Sequence, residues 1–121
     1  MKVFLDRPSL SLNRLMRMHH TQVKRFETGI RWQIRANLAR LRKEGVEPKA
    51  TGKRSVHLTR IGAKLLDEDN LAGGGKPIID ALVKEGLLVD DSPQWAELIF
   101  SQVPSKDPSL RRTVIELEEM E

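Results

Sequence analysis

The sequence predicts a single α+β domain, an α/β chain in the broad sense, with a small mixed β-sheet and two main helices. Three observations carry this expectation. An apolar stripe at helical spacing runs through residues 21–42, short β-tolerant segments lie on both sides of it, and 121 residues suffice for one core but not two. Lys2–Leu5 is a short strand, followed by a turn-prone loop holding Pro8, Ser9, Ser11 and Asn13. Val23, Phe26, Ile30, Ile34, Leu38 and Leu41 then recur at steps of three and four, which places them on one face of a helix that Gly45 ends. A polar connection, 47–54, leads to a strand over 55–61 that contains Val56, Leu58 and Ile61. A second helix spans 77–85, with Ile78, Ile79, Leu82 and Val83 inward and Gly86 as its stop. Three consecutive glycines, Gly73 to Gly75, leave its start open, since each costs a helix interior about 1 kcal/mol relative to alanine. Strands over 95–103 and 111–117 close the chain, near enough in sequence to pair antiparallel with each other.

Zero cysteines exclude a disulfide framework and a thiolate zinc site. No apolar run is long enough for a membrane span, and the charged Asp6 and Arg7 that follow a strand-length apolar start argue against a signal peptide, so a cytoplasmic location is expected. The net charge of +4 conceals an asymmetry. Residues 1–64 carry 16 Lys and Arg against 4 Asp and Glu, and residues 65–121 carry 5 against 13. A basic half suits a polyanion, because neutralising phosphates releases condensed counterions. Carboxylates beside a phosphate backbone repel it unless a divalent cation intervenes, so the acidic half suits a metal-dependent enzyme acting on nucleic acid; a lopsided but merely solvated surface would show the same counts.

The acidic residues are spaced in a way that invites chemistry. Asp67 and Asp69 lie two apart, and Asp90 and Asp91 follow just past the next helix. If that helix folds back along the sheet, the two pairs converge on an oxygen-rich pocket of the kind Mg²⁺ favours. Taken singly, Asp69 and Asp90 equally suit helix capping and turns. Three familiar motifs fail. An EF-hand register from Asp67 puts Ala72 where glycine belongs and Ile78 at the bidentate Glu position. A phosphate-binding loop ending at Gly75-Lys76 would need Ser or Thr where Pro77 stands. His19, His20 and His57 lack metal-site spacing and are read as surface or DNA-proximal groups.

The pattern Asp67-x-Asp69-Asn70-Leu71, Asp80-Ala81-Leu82 and Gly86-x-x-x-Asp90-Asp91, with Pro8 and Asn13-Arg14 upstream, resembles the RusA family of Holliday junction resolvases. The resemblance implies a homodimeric endodeoxyribonuclease that nicks four-way DNA junctions in symmetric pairs with Mg²⁺ or Mn²⁺. It assigns the essential carboxylates to Asp67, Asp69 and Asp91, with Asp90 beside them at the metal, and the essential lysine to Lys76. One departure stands out: the family lysine falls four residues after the second aspartate, where this chain has Gly73, and Lys76 lies seven after it. In a helix both offsets fall on roughly one face; in a glycine loop Lys76 would instead begin the helix and its role would be open. Arg14, Arg17, Lys24, Arg25, Arg31 and Arg35 are the expected DNA contacts. Trp32 and Trp95 suit either stacking on exposed bases or a place in the core or a dimer interface. The alternatives are a nuclease of other branched or flap substrates, and a catalytically inactive branched-DNA-binding protein whose acidic cluster is structural.

Overall fold

Alternating apolar residues and helical stripes fold into the order β1 (Lys2–Leu5), α1 (Leu12–Arg17), α2 (His20–Lys43), β2 (Arg54–Gly62), α3 (Glu68–Lys84), β3 (Ala96–Pro104), a 3-10 turn (Pro108–Leu110) and β4 (Arg112–Glu119) in the computed structural model. The structure describes residues 1–120. One mixed sheet results, in the order β1-β4-β2-β3. Val3 and Leu5 of β1, Val56 and Leu58 of β2, and Ile115 and Leu117 of β4 face Ile30, Ile34, Leu38 and Leu41 of α2 and Ile78, Ile79 and Leu82 of α3. The opposite face of the sheet carries Phe4, Ile99 and Val103, all exposed. Among the described residues no helix is long and apolar enough to cross a membrane.

The pairing of the last two strands differs from the sequence expectation. β3 pairs parallel with β2, and β4 passes over to pair antiparallel with both β2 and β1. The reason lies in burial. Thr113, Ile115 and Leu117 of β4 are fully buried and belong between two strands, whereas β3 is half-exposed along most of its length and suits an edge. β2, α3 and β3 thereby form a βαβ unit whose helix lies on the core face.

Polar residues of α2 close the other edge. Asn37, buried, donates to the Phe4 carbonyl (2.9 Å) and accepts from the Phe4 N–H (2.9 Å), and Gln33 accepts from the Asp6 N–H (2.7 Å). These side chains supply edge strand β1 with partners that a further strand would otherwise provide. Arg54 is buried and donates to the carbonyls of Pro48 (2.6 Å) and Leu87 (2.9 Å), pinning the polar connection to the segment after α3. Both long helices stop as expected at glycines in the left-handed region, Gly45 (φ 83°) and Gly86 (φ 86°). Each stop closes with a bond from the next residue back to the helix, Val46 N–H to Leu41 O and Leu87 N–H to Leu82 O, both 2.9 Å.

The helix over 77–85 begins earlier than expected, at Glu68, and runs through all three glycines and Pro77. Tertiary contact explains this. A Cβ at Gly74 would collide with the Leu10 carbonyl oxygen, and one at Gly75 would lie 2.7 Å from a Phe100 ring carbon. The residues that weaken the helix locally are those that let its backbone press against the Leu10 segment on one side and β3 on the other. Gly74→Ala is therefore expected to destabilise the protein by about 1–3 kcal/mol, although helix propensity alone favours alanine by about 1 kcal/mol. Urea denaturation decides between them, and a gain in stability would show that the Leu10 segment yields freely.

Candidate active site

Between β2 and α3 the chain is braced by Gln102 of β3, whose side-chain amide accepts from the Leu66 N–H (2.8 Å) and donates to the Leu66 carbonyl (2.6 Å). Asp67 then caps α3, accepting from the Asn70 N–H (2.9 Å) and from the Asn70 side-chain amide (3.0 Å). Those two bonds, the backbone one foremost, hold the Asp67 carboxyl below the usual carboxylate range. Asn70 also accepts from the Asn13 N–H (2.9 Å), so the start of α1, Asn70 and Asp67 form one hydrogen-bonded chain. Asp69 follows in the first turn, exposed.

On a helix, offsets of roughly seven and eleven residues return to nearly the same direction, so Lys76 and Asp80 share the stripe of Asp69, opposite the buried Ile78 and Leu82. Lys76 Nζ donates to Asp91 Oδ2 and lies 3.3 Å from Asp80 Oδ1. The hydrogen bond to Asp91 is the main influence on both partners, raising the lysine pKa and lowering that of the carboxyl. Leu87 and Leu88, buried beneath, anchor the segment that carries Asp90 and Asp91, while Val89 is exposed. Asp80, Lys84, Asp90 and Asp91 line a cleft of about 190 Å³.

The structure thus brings Lys76 to Asp91, with Asp90 in the adjoining cleft, and keeps Asp67 and Asp69 together at the helix start. The two groups are separate: Lys76 lies about 10 Å along the helix axis from Asp69. No three carboxylates or imidazoles converge on one point among the described residues. Mg²⁺ requires no such cage, since it binds through one or two carboxylates and fills its shell with waters and substrate phosphate oxygens. The all-oxygen, exposed donors here fit a cation shared with a phosphate. Asp80, outside the expected metal and catalytic residues, joins the site; its signal in the sequence is the four-residue offset from Lys76, which makes the two neighbours on a helix.

Of the expected DNA contacts, Arg14, Arg17, Lys24 and Arg25 are exposed and make no ion pair among the described residues. Arg31 and Arg35 are engaged instead. Their Nε atoms lie 2.8 and 3.1 Å from Glu85 Oε1, tying α2 to the end of α3. Burial pushes the Glu85 carboxyl up, but the bonds from Arg35 and Arg31 outweigh it and hold the pKa below the usual range. Trp32 is exposed, with the Arg35 guanidinium 5.6 Å from its ring centre, and Trp95 is half-buried. His19 caps α2, accepting from the Thr21 N–H, and His57 bonds Ser101 on the open sheet face (2.7 Å). No family model matches the chain, and neither a curated protein nor a solved structure matches it.

The Lys76–Asp91 pair makes a prediction in solution. A carboxyl whose pKa is depressed on folding contributes stability above its unfolded pKa and loses it as pH falls through the folded value. Lys76→Met is expected to return the Asp91 titration upward, toward the ordinary 3.8, and to remove the contribution that is present above that pH and lost in acid. NMR titration of the Asp91 carboxyl carbon measures it; an unmoved midpoint would mean that the contact is not populated.

Proposed function

We propose that the chain is a RusA-type, metal-dependent endodeoxyribonuclease that resolves four-way DNA junctions by paired hydrolysis, working as a homodimer. The observation that carries this reading is the return of Lys76 to Asp91. The lysine lies three residues beyond its expected offset, yet the intervening segment is helical, so it stays on the Asp69 stripe and meets a carboxylate just beyond the end of the same helix. The basic N-terminal half and the exposed acidic residues at the start of α3 add support. A two-fold dimer would offer two equivalent sites to a two-fold junction.

In such a reaction water attacks phosphorus and the bond to the 3′ oxygen breaks, leaving a 5′-phosphate and a 3′-hydroxyl. Asp67 and Asp69 at the start of α3, and Asp91 with Asp90 at the cleft, are the two carboxylate groups that would each offer oxygens to Mg²⁺ or Mn²⁺, with water and substrate phosphate completing the shell. The chemistry that such a cation supplies when bound is a water of lowered pKa and neutralised phosphate charge. Lys76 contributes its own charge. With Asp91 and Asp80 each taking one donor, a further N–H is left to reach a phosphate oxygen as negative charge builds there. Asp91 acts on the lysine as well, holding its ammonium over the stripe.

A second reading has its own support. Lys76 already neutralises Asp91 and the carboxylates stand in two groups, as suits a branched-DNA-binding protein without catalysis. Nicking of a labelled four-way junction against linear duplex, in Mg²⁺ or EDTA, separates the two. Paired, metal-dependent nicks are expected, reduced by about a hundredfold or more in Asp69→Asn and in Lys76→Ala while junction binding persists. Tight binding without cleavage in Mg²⁺ or Mn²⁺ would overturn the nuclease and leave the binding protein.

A further inference from the structure

The arginines fall into two sets. Arg31 and Arg35 meet Glu85, Arg40 meets Glu44 and Arg54 meets Glu119. Among those that make no ion pair in the described residues, Arg7, Arg14, Arg25 and Arg60 come from four different parts of the chain and converge on one place. They rim two adjoining grooves, of about 270 and 410 Å³, between the segment after β1 and the N-terminal half of α2. The grooves share Arg7, Pro8, Ser9 and Phe26, and among the described residues Asp6 is the one carboxylate lining them. Phe26, Ile30 and Ile78 make an apolar floor in the first, and Leu10 and Met18 in the second.

Two further features mark the place as built to take an anion. Arg60 is half-buried, and its Nε donates to the Ser9 carbonyl (2.8 Å) and a terminal nitrogen to the Lys64 carbonyl (2.9 Å), with no carboxylate among the described residues in an ion pair with it. Burial lowers its pKa, and a bound anion would offset that cost. Gly62 makes the posture possible, since a Cβ there would run into the guanidinium. Ser9 Oγ, where the grooves meet, is the one buried side-chain polar atom without a hydrogen-bond partner among the described residues.

We propose that this groove binds one strand of the DNA through its phosphodiester oxygens, the arginines taking the phosphates and the Phe26 floor taking the sugar and base edge. An arginine rim around an apolar, aromatic-bearing floor is the composition that tracks a nucleic-acid strand. The proposal rests on the reading of the chain as a DNA-acting protein and adds a substrate groove separate from the cleavage residues. It also redistributes the expected contacts: Arg14 and Arg25 act with Arg7 and Arg60, while Arg31 and Arg35 serve the fold.

The test is junction binding by fluorescence anisotropy in EDTA across a range of NaCl, for wild type, Arg7→Ala, Arg25→Ala, their double variant and Arg42→Ala. The Arg7 and Arg25 side chains make no hydrogen bond among the described residues, so their loss leaves the fold in place. Arg42 lies at the other end of α2, about 25 Å along the helix from Arg25. Each groove substitution is expected to lower the slope of log K against log salt by about one, the double variant by about two, and Arg42→Ala by none. An unchanged slope in the double variant, or an equal change in Arg42→Ala, would overturn the groove. Free phosphate or a mononucleotide that competes as well as a single-stranded oligonucleotide of equal phosphate concentration would also overturn it, assigning the arginines to a small anion. Cleavage is scored separately in Mg²⁺. A wild type that nicks while the double variant keeps its slope loses the groove but retains the nuclease, and one that never nicks while the slopes fall retains the groove alone. A wild type without affinity for DNA overturns the groove as well.

Discussion

The close backbone approach at Gly74 and Gly75 is the constraint on which the rest of the structure depends. It seats the Leu10 segment directly on α3 and lets Phe100 of β3 pack against the other side of the same helix. Local propensity runs against it. Three glycines at about 1 kcal/mol each and an interior proline at about 3 kcal/mol make this the weakest stretch of helix in the chain considered alone. The helix forms there because burial of Leu71, Ile78, Ile79 and Leu82 offsets those costs, each such side chain contributing about 1.5–3 kcal/mol when fully buried. Asn13 reaches Asn70, which itself bonds the Asp67 cap, because the start of α1 is drawn onto the glycine face. The candidate site and the core therefore share one structural cause.

Charge is partitioned with similar economy. The long basic helix α2 does not present a uniform cationic surface: Arg31 and Arg35 are matched by Glu85 from α3 and Arg40 by Glu44 one turn on, while Lys24 and Arg25 nearer its start make no ion pair among the described residues, and Arg25 rims the groove with Arg7. Arg54 takes the structural role furthest, buried, bonded to backbone carbonyls and paired with Glu119. Counterion release makes unmatched arginines the useful ones for a polyanion, because a guanidinium already paired with a carboxylate gains little on meeting a phosphate.

Helix α2, its capping glycine and the strands β1 and β2 were legible in the sequence, because each rests on a periodicity or a turn residue that acts over a few positions. Of the candidate site, the acidic residues were visible as spacing, but that the two aspartate pairs stand apart was not. The start of α3 was not legible, since the glycines that signal a loop locally are required by contacts with Leu10 and Phe100, residues far away in the chain. Nor was the place of β4, because proximity to β3 in sequence says nothing about which strand has the complementary buried face. Arg31 and Arg35 could not be told from Arg14 and Arg25 by composition, as all four lie on or near one basic helix and only the position of Glu85 distinguishes them.

By itself, then, the sequence determined the class of the fold, the two helical stripes, the glycine stops and the clustering of acid beside a basic half. These follow from local sterics and from the periods of helix and strand, which every stretch of chain obeys on its own. The tertiary structure alone decided that residues 68–76 are helical, that Lys76 meets Asp91 and Asp80, that β4 lies between β1 and β2, and which arginines are matched. Each of these is a choice between partners distant in sequence, settled by which arrangement buries the apolar faces and leaves the fewest polar groups and charges unmet.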